Sequence, residues 1–155
     1  ENGGHENLVG LIDVIKVTKE DGNDGGEEVH LVTELVSGGE VFDRLVNNGA
    51  FAEIDVANMA YSLASAANFL HSKCNLAHGD IKPENLMFTS ETQDSGIKII
   101  DFGTATPLRQ NGATREQNTT FARGTTAYWS PENFLGSKAE KFGAPSDMFA
   151  IGLVL

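Results

Sequence analysis

Cysteine is almost missing from this sequence: Cys74 is the only one in 155 residues. One thiol closes no intrachain disulfide, so a reducing compartment, the cytoplasm or the nucleus, is the expected setting. Zinc is not expected, because His5, His30, His71 and His78 show no paired ligand spacing with that thiol. Basic residues are scarce too, with 11 lysines and arginines against 22 acidic residues and a formal net charge of −11. That balance argues against nucleic acid or an anionic membrane as a partner and fits a basic one, although solubility alone also accounts for it. No apolar run approaches the roughly 20 residues that cross a bilayer. The start lacks both a methionine and the basic, apolar, small-residue succession of a signal peptide. The chain opens on Glu1-Asn2-Gly3-Gly4-His5 and stops inside the apolar run Met148 to Leu155. Domain edges are usually polar and loose, so both ends are expected to be cuts through a larger domain. The sequon Asn118-Thr119-Thr120 is taken as accidental.

Branched apolar residues from Leu8 to Val17 predict a strand, the glycine-rich and charged stretch from Lys19 to Glu28 a turn, and Val29 to Val36 the returning strand of a hairpin. Ser37-Gly38-Gly39 breaks it. A short helix is expected from about Glu40 to Asn47, stopped by Asn48-Gly49. The strongest helical periodicity runs from about Glu53 to His71, where Val56, Ala60, Leu63, Ala67 and Leu70 recur on one face. A loop over Asn75 to Pro83, short strands at Asn85 to Phe88 and Ile97 to Ile100, and a polar, mobile segment over 104–127 complete the expectation. No internal repeat is present.

Several motifs then occur in order: His78-Gly79-Asp80-Ile81-Lys82-Pro83-Glu84-Asn85, Asp101-Phe102-Gly103, Gly124-Thr125 and Ser130-Pro131-Glu132. Together they resemble the second half of a protein kinase, with Gly79 where arginine is usual and Ser130 where alanine is usual. The resemblance covers essentially the whole chain and implies an α+β, protein kinase-like fold in truncated form. Residues 1–36 would be the last strands of the small lobe and the hinge, and 37–155 the mainly helical large lobe up to its central helix. The glycine-rich phosphate loop, the strand lysine and the helix glutamate that precede these motifs in the family are absent from this segment. Gly38 to Leu45 is similar to the calcium/calmodulin-dependent group, and Lys82 with Gly124-Thr125 to the serine/threonine branch.

The resemblance also implies roles. Asp80 would orient the substrate hydroxyl and finally accept its proton, with Lys82 beside the transferring phosphoryl; Asn85 and Asp101 would offer hard oxygens to magnesium. ATP would meet the main chain of Glu34 and Val36 at its adenine edge, behind which Thr33 stands. Met87 would lie under the base, unless it is plain core. Glu40 would meet the ribose and a basic substrate residue, or is simply a helix N-terminal acid. Glu40, Glu84 and the net charge predict arginine upstream of the phosphorylated serine or threonine of a protein substrate. Gly79 carries no charge to hold a phosphorylated segment, so phosphate at Thr119 or Thr120 is expected to be a weak switch. Asp147 would bond the catalytic-loop backbone, Glu132 would pair with an arginine outside this segment, and His78, Phe102 and Leu11 would stack into an apolar column. Calmodulin is compatible as a partner but not visible in this segment. The alternative to an enzyme is a scaffold that keeps the fold without transferring phosphate. The isolated 155 residues are expected to have negligible activity.

Overall fold

A computed structural model describes residues 3–18, 27–92, 95–108, 124–135 and 143–155. Strands β1 (Leu11–Thr18) and β2 (Glu27–Thr33) form an antiparallel ribbon. Helices α1 (Val41–Asn48) and α2 (Glu53–Phe69) follow, and a π-helical turn, Leu70–Cys74, extends α2. Four short strands come next: β3 (Leu76–Ala77), β4 (Leu86–Phe88), β5 (Ile97–Ile99) and β6 (Thr106–Pro107). They pair as β3 with β6 and β4 with β5, both antiparallel. Helices α3 (Pro131–Leu135) and α4 (Ala144–Val154) close the order.

The core forms where α2 packs against β5 and α4. Leu63, Ala66 and Ala67 of α2 are fully buried, together with Leu86 and Ile99. The alanines let neighbouring backbones approach, and Leu63 fills the space between them. Leu63→Ala is expected to cost about 2–5 kcal/mol of stability, read as a lower midpoint in chemical unfolding of the full-length protein.

Differences from the expected elements have local causes. Instead of starting at Leu8, β1 starts at Leu11. Leu8 makes a parallel bridge to Ile99, with Val9 N donating to Ile99 O at 3.0 Å and Ile99 N to Asn7 O at 2.9 Å. The expected loop from Asn75 to Pro83 contains β3, which Asn75, in the left-handed region at φ 55°, starts by turning the chain out of α2. The segment read as mobile holds β6 and a 3-10 turn at Thr126–Tyr128; residues 109–123 lie outside the described part. Both faces of the β1–β2 ribbon are open, for Val14 on one side and Ile15 and Val17 on the other are exposed.

Candidate active site

The loop from His78 to Asn85 is held from below. Asp147, 2% exposed on α4, accepts the backbone N–H of His78 at 2.8 Å and of Gly79 at 2.9 Å, and pairs with His71 Nε2 at 2.8 Å. A buried carboxylate is costly unless it is bonded, and these three partners bond it. The expected bonding of Asp147 to the loop backbone is present in the geometry; His71, its third partner, was not singled out in the sequence. Asp80 N donates to His78 Nδ1 at 3.3 Å, so His78 Nε2 carries the proton it gives to Ile100 O at 3.0 Å. The loop from His78 to Asn85 is thereby tied to the residue before Asp101.

Asp80 stands at the centre of the site. Its Oδ1 accepts Thr125 N at 2.7 Å, and its Oδ2 pairs with Lys82 Nζ at 3.0 Å and accepts Asn85 Nδ2 at 3.2 Å. Lys82 Nζ also donates to Thr125 Oγ1 at 2.7 Å. Burial pushes the Asp80 carboxyl up, but the bonds from Lys82 and from Thr125 outweigh it and bring it below its ordinary value. Asp80 is thus a carboxylate at neutral pH, suited to orienting a hydroxyl and taking its proton late rather than removing it beforehand.

Two glycines allow this closeness. At φ 84°, Gly124 places its α-carbon where an added Cβ would lie 2.6 Å from the Gly79 carbonyl oxygen. Gly79 itself has φ 81°, a conformation that strains an arginine but not a glycine. Thr104 Oγ1 donates to His78 O at 2.9 Å on the far side.

Asn85 donates through its amide nitrogen to Asp80 O at 2.8 Å, which leaves the amide oxygen for a ligand. Ile100 N donates to Asn85 O at 2.9 Å, bringing Asp101 alongside. Asp101 is exposed, sits at φ 58° and accepts Gly103 N on Oδ1 at 3.0 Å. A non-glycine residue in that region is uncommon and collects at functional sites.

The segment expected to be the hinge follows β2. Val36 is buried and Leu35 is 91% exposed, so the side chains flanking this strip point opposite ways. Gly38 N donates to Phe88 O at 3.0 Å and Phe88 N to Gly39 O at 2.9 Å; this pairing brings Glu40 opposite Met87. A cavity of about 710 Å³ opens elsewhere, between α1, the start of α2 and the β4–β5 turn, and holds none of the motif residues.

A protein kinase domain model matches residues 1–155. This chain belongs to the protein kinase domain family. It is similar to myosin light chain kinase A of Dictyostelium discoideum, 35% identical over 150 residues that make up 97% of this chain and 45% of that protein. Calcium/calmodulin-dependent protein kinase type I of Schizosaccharomyces pombe is 33% identical over 97% of this chain and 40% of its own length. For calcium-dependent protein kinase 5 of Plasmodium falciparum the figures are 33%, 97% and 23%. The chain spans less than half of each of these relatives.

The kinase family implies ATP as a substrate and magnesium with it. An amide oxygen at Asn85 and a carboxylate at Asp101 are hard donors of the kind magnesium takes while keeping water and phosphate in its remaining positions, so these residues fit the ion. One expectation needs correction. Phe102 and His78 stack edge to face with ring centroids 5.1 Å apart, but Leu11 is 59% exposed and outside the column, because among the described residues neither face of its ribbon is covered. Glu84, named above with Glu40 as an acid for a basic substrate residue, has its Oε2 fully buried without a hydrogen-bond partner among the described residues. Within the described residues, the Glu132 carboxyl is held below its ordinary value by its own backbone N–H and the Ser130 hydroxyl, and Ser146 Oγ lies 3.5 Å away. Thr119 and Thr120 lie outside the described residues.

Proposed function

We propose that this chain is the nucleotide-floor and catalytic-loop part of an ATP-dependent serine/threonine protein kinase, with residues 1–36 as the end of the small lobe and hinge and 37–155 as the start of the large lobe. The observation that carries this reading is the connected set Asp80, Lys82, Asn85 and Thr125, in which each polar group of Asp80 has a partner. Asp80 orients a serine or threonine hydroxyl of the protein substrate. Its oxygen attacks the γ-phosphorus of ATP in line, the new O–P bond forms as the bond to the β,γ-bridging oxygen breaks, and the hydroxyl proton ends on Asp80. Lys82 places a positive charge beside the transferring group. Asn85 and Asp101 would hold magnesium, which would supply charge neutralisation for the phosphates. The main chain of Glu34 and Val36 receives the adenine edge, Met87 lies under the base and Glu40 meets the ribose.

Transfer of labelled γ-phosphate to peptides by the full-length protein tests this reading. Nucleotide binding without transfer would instead favour the scaffold.

The substrate is proposed to carry arginine upstream of its serine or threonine. Glu40, which lies opposite Met87, and the formal net charge of −11 support this reading. Positional peptide scanning should show arginine preferred by about tenfold at one upstream position; a flat profile would remove the proposal.

Activation is proposed not to need a phosphate anchor. Thr125 is already tied to Asp80 and Lys82, and Gly79 offers no cation. With Thr119 and Thr120 both changed to alanine, the full-length protein should keep its activity within about threefold, since no charge-assisted bonds are lost.

Calmodulin binds basic amphipathic helices, and in the four α-helices described only Arg44 is basic. Calmodulin is therefore proposed as a partner only of chain outside these residues. A reducing compartment, the cytoplasm or the nucleus, is proposed as the location.

A further inference from the structure

One ion pair lies outside the catalytic loop and joins two parts of the nucleotide site. Lys98 Nζ lies 2.8 Å from Glu34 Oε1 and donates to Leu8 O at 3.2 Å. The same Glu34 oxygen accepts Gly10 N at 2.7 Å, while Glu34 N donates to Gly10 O at 2.9 Å. The hydrogen bond from Lys98 first, and that from Gly10 second, bring the Glu34 carboxyl below its ordinary value.

The surrounding backbone gives this pair its leverage. Residues Asn7 to Gly10 run between β5 and the hinge: Val9 and Asn7 bond the main chain of Ile99, Asn7 Nδ2 donates to Ile97 O at 2.9 Å, and Gly10 bonds Glu34. The Lys98 side chain bridges over that segment. In the β4–β5 register Lys98 is directly opposite Met87, so both side chains leave the same face of the ribbon, while Leu86, Phe88, Ile97 and Ile99 are buried on the other. Asp101 follows Lys98 three residues later on the same chain.

We propose that Lys98 is a positioning residue for the nucleotide: by holding the Glu34 carboxylate it keeps the hinge peptide in register with the Met87 floor and with Asp101. This rests on the nucleotide site proposed above. A partly exposed ion pair contributes little to stability by itself, but one that sets the spacing between adenine and phosphate contacts acts on affinity.

The test compares Lys98→Met, Lys98→Arg, Glu34→Gln and the Lys98→Met/Glu34→Gln double variant in the full-length protein. The readouts are displacement of a fluorescent ATP analogue by ATP, KM for ATP, KM for peptide, and Tm. Lys98→Met should raise Kd and KM for ATP about five- to tenfold, with peptide KM changed by less than about twofold. Lys98→Arg should recover most of that loss. Glu34→Gln should match Lys98→Met, with the double variant no worse than either. Unchanged ATP Kd with a lowered Tm would mean a merely structural pair and overturn the proposal, as would a shift confined to peptide KM. If Lys98→Met does not fold, the Glu34→Gln and Lys98→Arg comparison decides in the same way. Wild-type protein that bound no nucleotide would overturn the proposed function and this inference together; wild-type binding equalled by the variants would overturn the inference alone.

Discussion

Asp80→Asn in the full-length protein is expected to lower kcat by about 10²–10⁴-fold while KM for ATP stays within about threefold. The substitution preserves size but not acceptors. Both carboxylate oxygens now face donors: Thr125 N at 2.7 Å on one side, Lys82 Nζ at 3.0 Å and Asn85 Nδ2 at 3.2 Å on the other. An amide has one acceptor oxygen, so its NH₂ must face either Thr125 or the Lys82 and Asn85 donors. The carboxylate proposed to take the substrate proton is lost in either orientation. ATP affinity should survive, since Glu34, Val36 and Met87 are reached through a different part of the chain. Steady-state kinetics at saturating ATP and peptide measure the effect. A variant retaining a tenth of wild-type kcat would show that Asp80 neither orients the hydroxyl nor accepts its proton.

The second large effect is on the loop's foundation. Replacing Asp147 with alanine is expected to cost about 3 kcal/mol or more, because it leaves the buried N–H groups of His78 and Gly79 without acceptors. The loss should reach the chemistry as well. His78 links the loop to Ile100 and so to Asp101, and a loop free to shift moves Asp80 and Asp101 relative to each other. Chemical unfolding monitored together with kcat should show both quantities falling. Asp147→Asn retains one acceptor oxygen and should lie between wild type and alanine. A fall in kcat with an unchanged unfolding midpoint would place Asp147 in catalysis rather than in support of the loop.

Much of the architecture was legible because its signals are local. The apolar stripe from Val56 to Leu70 is a property of 3.6-residue periodicity, and α2 with its π-helical extension covers it. Asn48-Gly49 stops α1 by backbone conformation, which depends on those residues themselves. The motif residues were legible for another reason: their joint order and spacing resemble the protein kinase pattern, so Asp80, Lys82, Asn85 and Asp101 stand out together although each alone would read as an ordinary turn, cap or solvated residue. Less legible were the two-residue strands β3 and β6, too short for periodicity and formed only because Asn75 and Leu108 bond across them, with Leu108 N donating to Asn75 O at 2.7 Å.

By itself, then, the sequence determined the helices α1 and α2, the order of the motifs and the chemical character of the residues that carry them, since each depends on neighbours a few positions away. Only the tertiary structure decided which groups satisfy one another: Asp147 under His78 and Gly79, Thr125 on Asp80, Lys98 on Glu34, Leu11 outside the column, and Glu84 with a buried oxygen. Those pairings join residues tens of positions apart. Their strength depends on burial and distance, quantities that exist only once the chain has closed around its core.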